Sequence, residues 1–476
     1  MEENSILEAT IDDLQKLMEN GSLTSYELVK KYLTRIEQID KTGVTLCSII
    51  EINPDLLDIA KALDKERKEK GSRGLLHGIP ILLKDNIDTK DKMLTTAGSW
   101  SMVGSIPEKD ATVALKLRDA GGILFGKANM SEWANYRSSN SSNGWSGRGG
   151  QTKNPYHLAQ DPCGSSTGSA VAVSANLVAV SLGTETSGSI ICPSATCGVV
   201  GIKPTVGLVS RAGVIPISHN YDTVGPITRT VADAAVLLSF LTGIDTRDRL
   251  TQESNGKYHT DYCAFLDENG LQGIRVGFIG DFCIEFENML QENGAQIIKL
   301  NAVWNKAGTD KDLIFSYDFK NDISQYLAKR QRNPAPQYTG FPMMHTLEDI
   351  IAFNKNFSDL ESTIYDQRKL IDAMERGPLT DQCYIDQLNN NKTLSRKFID
   401  DIIEDNNLDV IVGEVPANLA GYPVITIPIG LHQTGMPKAF TFTGRAYSEP
   451  TLIRIAYAIE HIIKGRTLPK YLTNRI

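Results

Sequence analysis

Cysteine and histidine are scarce in this sequence, and no long run of charge of one sign appears. Seven cysteines are scattered over 476 residues, at positions 47, 163, 192, 197, 263, 283 and 383. No two form a CxxC pair and no HExxH occurs, so neither a structural zinc nor a zinc protease is expected. The stretch 1–20 is polar and acidic and lacks the basic start and apolar run of a signal peptide. The cysteines therefore read as reduced thiols of a cytoplasmic protein. The most apolar run, Ala170–Leu182, contains Ser174, Asn176 and Ser181 and falls short of the ~20 apolar residues that span a bilayer. Lys and Arg number 49 against 57 Asp and Glu, a net charge of −8, which argues against a nucleic-acid partner. What remains is an ordinary globular composition, large enough to bury a core without disulfides or metals.

Charge is also missing locally. The 52 residues 138–189 hold 12 Ser and 8 Gly but only Arg148, Lys153, Asp161 and Glu185 as charges. A Gly/Ser-rich stretch is usually a linker, yet this one carries an apolar, helix-like run, which linkers lack.

Around it, helix and strand patterns alternate. Thr24-Ser-Tyr-Glu27 forms a capping box ahead of a stripe at Leu28, Val29, Leu33 and Ile36. Asn53-Pro54 opens a helix that ends near Gly71. Ile79–Leu83 and Ala120–Gly126 read as strands, with a helix over Thr112–Asp119. Ser169–Ser181 reads as a buried helix and Gly183 onward as a loop. Strands are predicted at Ile274–Ile279, Ile297–Leu300 and Leu408–Val412. A last helix, capped by Ser448 and ended by Gly465, carries Leu452, Ile455, Ala456, Ile459 and Ile463. The alternation predicts an α/β layered fold. With no linker between blocks, residues 1–476 read as one domain: N-terminal helices to about 73, a core over about 74–235, and a polar, variable, capping region over about 301–405.

Several motifs compete for the chemistry. Gly121–Ala128 nearly matches a phosphate loop, but Ala128 replaces the magnesium-binding Ser or Thr, and the interior Ile, Leu and Phe belong in a strand. Ser254-Asn-Gly-Lys257 and Lys41-Thr-Gly43 occur in the wrong order for a penicillin-recognising enzyme. Gly164-Ser-Ser-Thr-Gly168 matches the nucleophile elbow centred on Ser166, but 158–162 do not form the strand an elbow requires. The later histidines His259, His345, His432 and His461 sit in no telling context. Gly183–Pro193 places Ser189 after a Gly-containing turn, which can aim backbone N–H groups into one concavity. Apart from His157 the stretch offers no histidine base. Lys84, at the end of an apolar run, can serve if burial neutralises it; on its own such a lysine is more often a strand-end charge reaching water.

Taken together these segments resemble the amidase signature family of serine amide hydrolases. The resemblance is carried by Gly78–Ile87, Gly126–Glu132, Gly164–Ala170, Gly183–Pro193, Gly198–Thr205, Asp222–Arg229 and Asn418–Pro428, in family order. It implies a large mixed β-sheet covered by helices on both faces. It also implies a Ser–Ser–Lys triad: Ser189 as nucleophile, Ser165 as relay in a cis peptide after Gly164, and Lys84 as base. The backbone N–H groups of Thr186, Ser187, Gly188 and Ser189 would form the oxyanion hole, with Ser166, Gly164 and Asp222 supporting the triad. No metal or cofactor is implied. The partner would be a small-molecule or peptide amide, with no nucleic acid and no membrane.

Three departures touch the substrate rather than the triad: Cys163 before Gly164 where a glycine is common, Ile191-Cys192 where an arginine is usual after the nucleophile, and Ala128 for a threonine. The runs Asp161–Ser166 and Ser189–Pro193 are most similar to the peptide amidase branch, whose members cleave C-terminal carboxamides. The alternatives are an esterase using Ser166, the glutamine-hydrolysing component of an amidotransferase, and an inactive scaffold.

Overall fold

The computed structural model describes residues 6–473 except 105, 281–282, 331–339 and 362–363. Parts of the expected capping region, and the first five residues of the N-terminal stretch, therefore lie outside the described residues.

The strands are β1 (Ile49–Ile52), β2 (Pro80–Lys84), β3 (Ile123–Ala128), β4 (Trp145–Ser146), β5 (Gly150–Gln151), β6 (Val180–Glu185) and β7 (Val200–Lys203). They continue with β8 (Thr223–Thr228), β9 (Arg275–Ile279), β10 (Gln296–Leu300), β11 (Val410–Val412), β12 (Val424–Leu431) and β13 (Pro437–Thr443). β4 and β5 form a separate ribbon, and the other strands make one 11-stranded sheet ordered β1-β3-β2-β6-β8-β7-β12-β13-β11-β9-β10. The sheet is mixed: β3, β2 and β6 run parallel, as do β11, β9 and β10, whereas β6 meets β8 antiparallel. Every residue of β2, β3, β6, β7 and β8 is buried. Successive side chains of a strand point to opposite faces, so both faces of this central part are covered.

The cover comes from helices whose signals are local. Thr24 Oγ1 accepts from the Glu27 N–H and Glu27 Oε2 accepts from the Thr24 N–H, the reciprocal cap of the helix Ser25–Arg35. The helices Leu56–Lys70 and Thr112–Asp119 also match their predicted spans. The last helix, Glu449–Ile463, buries Leu452, Ile455, Ala456 and Ile459. Its cap differs from expectation: the Ser448 hydroxyl donates back to Arg445 O, and Lys464 rather than Gly465 takes the left-handed position.

Three further expectations are corrected. The helix predicted over Ser169–Ser181 covers only Thr167–Ser174, and the predicted loop at Gly183 lies inside β6. The apolar run merges the two because a helix buried all round and a strand buried on both faces are equally apolar. All eight residues of that helix are buried. The cysteines are not all reduced: Cys163 and Cys192 form a disulfide, and Cys47, Cys197, Cys263, Cys283 and Cys383 are free.

A second apolar cluster lies beside the sheet. The helices Lys311–Ala328, Leu347–Asn356, Arg368–Met374 and Gln382–Asp405 contribute Ile314, Phe319, Ile350, Phe353, Leu370 and Tyr384 to it. They pack on Met130, Trp133, Ile217 and Tyr221, residues of segments that flank the catalytic candidates. No described helix is long and apolar enough to cross a membrane.

Candidate active site

β2 and β6 are parallel neighbours, with Leu83 opposite Leu182. Their C-terminal ends therefore lie side by side, and such ends are where ligands bind in α/β sheets. Lys84 is the last residue of β2 and Glu185 the last of β6. β8 runs back against β6 with Thr223 opposite Glu185, which brings Asp222 to the same end.

Lys84 is fully buried. Its Nζ lies 2.8 Å from Ser165 Oγ, 3.0 Å from Ser166 Oγ, 3.0 Å from Thr184 Oγ1 and 3.2 Å from Thr184 O. Burial lowers its pKa from 10.5 to about 7, against the opposing pull of Asp222 and Glu185. A neutral amine has one lone pair, which needs an O–H donor. Ser166 does not supply it, because its hydroxyl donates to Thr184 O at 2.9 Å while accepting from the Thr184 N–H at 3.1 Å. Ser165, the nearer serine, has a proton to give.

Ser165 follows a cis peptide bond after Gly164. The Ser166 N–H donates to Ser189 O at 3.1 Å, which sets the relay turn against the nucleophile loop. Ser165 and Ser166 are fully buried, whereas Ser189 is 9 % exposed. The elbow geometry is absent: Ser166 is the cap of the helix Thr167–Ser174 with turn and bend before it.

The loop after β6 is held by two carboxylates. Glu185 Oε1 accepts from the Gly188 N–H at 2.8 Å, and Oε2 from Ile190 and Ile191 at 2.7 and 3.0 Å. This corrects the expected oxyanion hole: the Gly188 amide is already committed to Glu185. Asp222 Oδ1 accepts from Thr186 Oγ1 at 2.5 Å, and Oδ2 from the amides of Ile217 and Ser218. Burial raises the pKa of Asp222 to about 6, opposed by these donors. Thus Ser165, Ser166 and Thr184 meet at Lys84 Nζ, Thr186 is held on Asp222, and Glu185 is the member sequence reasoning missed. Its signal was there, as one of only four charges in the 52-residue stretch.

Ser187 accepts from Asn418 Nδ2 at 2.9 Å and Lys311 Nζ at 3.4 Å. It opens on a cavity of about 360 Å³ bordered also by Trp304, Asp312, Pro416 and Leu419. Among the described residues no group of three or more His, Cys, Asp or Glu is placed to hold a metal ion.

Known proteins share this arrangement of chain. The family described as Amidase matches residues 27–303, more than half the sequence. A probable amidase of Arabidopsis thaliana is 41% identical over 485 residues, covering 98% of this chain and 92% of that protein. A component of the glutamyl-tRNA(Gln) amidotransferase of Exiguobacterium sibiricum is 31% identical over 505 residues, covering 98% and 100%. The solved structure of native peptide amidase from Stenotrophomonas maltophilia superposes with a TM-score of 0.91 at 40% identity, covering 98% and 99%. With a buried lysine among serines at paired strand ends, and likeness along nearly its full length, the chain belongs to the amidase signature family and is an amide-hydrolysing enzyme.

Proposed function

We propose that this hydrolase cleaves primary carboxamides, C-terminal peptide amides among them, to a carboxylate and ammonia through an acyl-enzyme. The observation that carries the reading is the buried Lys84 amine, with a pKa near 7 and 2.8 Å from Ser165 Oγ. Neutral Lys84 takes the Ser165 proton, and Ser165 takes that of Ser189. Ser189 Oγ then forms a bond to the amide carbon. The N–H groups of Thr186, Ser187 and Ser189 face the developing oxyanion; such donors are typically worth about 3–4 kcal/mol each. On collapse the C–N bond breaks and the relay returns a proton to the leaving nitrogen, which departs as ammonia. Water then attacks the acyl ester and restores Ser189.

The substrate class is supported by likeness to peptide amidase and by the partly apolar cavity next to Ser187. A glutaminase role is weighed against by Ile191 in the position where an arginine is usual. An ammonia-release screen across peptide amides, aliphatic amides, aryl amides and glutamine decides between them. Release from peptide amides is expected, lost in Ser189→Ala. Activity confined to glutamine points to the amidotransferase role, and an inactive Ser166→Ala beside an active Ser189→Ala points to the elbow.

A further inference from the structure

We propose that the Cys163–Cys192 disulfide is a positioning element of the active site: it holds the relay serine against the nucleophile, and thiol reductants release that hold. The inference rests on the roles proposed above for Ser165 and Ser189.

Cys163 lies two residues before Ser165, and Cys192 three residues after Ser189. The two serines sit on separate pieces of chain. Ser165 is in a turn, 161–166, without regular structure, anchored on its own side by Cys163 N–H to Asp161 Oδ1 at 2.7 Å and Thr167 Oγ1 to Cys163 O at 2.6 Å. Ser189 is in the loop that runs into the short helix Ile191–Thr196. The hydrogen bond from Ser166 N–H to Ser189 O ties the two at 3.1 Å, and the disulfide ties them covalently with Cα atoms 5.8 Å apart. The intervening segment is already rigid, being the buried helix Thr167–Ser174 and the buried strand β6. The bridge therefore acts on the relative placement of the two loops at its ends, where a proton must pass between the two hydroxyls. Misplacement of reacting groups by ~1 Å can cost on the order of 100-fold in rate.

The bridge is open to reagents, because Cys192 is exposed and Cys163 half-buried. Cys197 lies near, its Sγ 3.8 Å from Pro162 O, but it is buried and burial pushes its thiol well up. It therefore supplies no thiolate to rearrange the bridge. A small dithiol does: its thiolate attacks Cys192 Sγ, the S–S bond breaks, and Cys163 leaves as a thiolate that takes a proton. The second thiolate of the reagent then displaces Cys192 and closes a cyclic disulfide. Two electrons and two protons pass from reagent to protein.

The test is dithiothreitol titration of the purified full chain, with alkylation and mass spectrometry to follow residues 163 and 192. A fluorophosphonate probe counts competent sites, and thermal unfolding is followed in parallel. Reduction is expected to lower kcat per folded enzyme by about 10–100-fold while KM moves less than about twofold, and reoxidation restores kcat. The double variant Cys163→Ser/Cys192→Ser is expected to have the reduced enzyme's kcat and to ignore reductant. If it does not fold, reduction of the native chain decides. Unchanged kcat with 163 and 192 alkylated, with or without a lower Tm, overturns the proposal and leaves a purely structural bridge. Ser189→Ala separates the two readings: if it is inactive while the reduced enzyme is fully active, only the positioning role fails; if it is active, the triad itself fails.

Discussion

At the scale of single residues the site turns on where each proton can go. Ser165 and Ser166 both touch Lys84, and composition cannot rank them. Ser166 donates to Thr184 O and accepts the Thr184 N–H, which ranks Ser165 ahead of Ser166 as the serine able to protonate Lys84. A pH profile follows from the same geometry. The base is the neutral amine, so protonation removes activity; kcat/KM should rise as pH increases through about 7, where burial places Lys84. Stopped-time ammonia assays from pH 5 to 9 check this, and a flat profile contradicts it. Lys84→Ala should lower kcat by several orders of magnitude, since base and relay act as one unit; a mild loss removes Lys84 from the role.

At the scale of elements, the strand β6 shows how packing overrides pattern. Gly183 reads as a loop residue by type, yet it sits in the strand opposite Gly225, and the position is glycine because a side chain there would collide with Ser166. A Cβ at Gly183 would lie 2.8 Å from Ser166 Oγ and 2.9 Å from its Cβ. Gly183→Ala should thus cost about 1–3 kcal/mol of stability and also lower kcat, because the displaced Ser166 borders Lys84. Urea denaturation and steady-state kinetics on the same preparation check both; a fully active, equally stable variant would show that the contact relaxes freely. Gly188, with φ of +87°, is needed for a different reason. It turns the chain so that its own amide and those of Ile190 and Ile191 converge on the Glu185 carboxylate. The local signals that did succeed, such as the Thr24–Glu27 box, depend on residues three apart and so are written in the sequence directly.

At the scale of the whole molecule, the helices between 311 and 405 are joined to the core by a buried charge cluster. Arg137 Nη1 lies 2.5 Å from Glu132 Oε1 and 2.7 Å from Glu361 Oε2, and Nη2 donates to Glu361 O. Glu361 Oε1 in turn accepts from Ser99 Oγ and the Trp100 N–H. Burial and the neighbouring Glu361 raise the pKa of Glu132 to about 8, opposed by Arg137. Arg137→Leu leaves the buried Glu361 carboxylate without its cation, so a loss of about 3–5 kcal/mol is expected, read by urea denaturation at about pH 7; a loss below ~1 kcal/mol would show that Glu361 neutralises at little cost. The disulfide belongs to this scale as well. Partners 29 positions apart cannot be inferred from spacing alone, and their pairing removes the basis on which cysteine content suggested a reducing compartment.

The sequence by itself determined the α/β class, the runs that become β2, β3, β9, β10 and β11, and the ends of a few helices. It also marked the charge-poor stretch that holds both serines, because periodicity, caps and composition act over neighbouring residues. The motifs in family order pointed to Lys84, Ser165 and Ser189. Only the tertiary structure decided what surrounds them: that Glu185 ties down the nucleophile loop, that the Ser166 hydroxyl already donates its hydrogen bond to Thr184 O, and that Cys163 reaches Cys192. Each of these depends on the register of β2, β6 and β8. That register is set by burial on both faces of the sheet at once, a condition no local stretch of sequence contains.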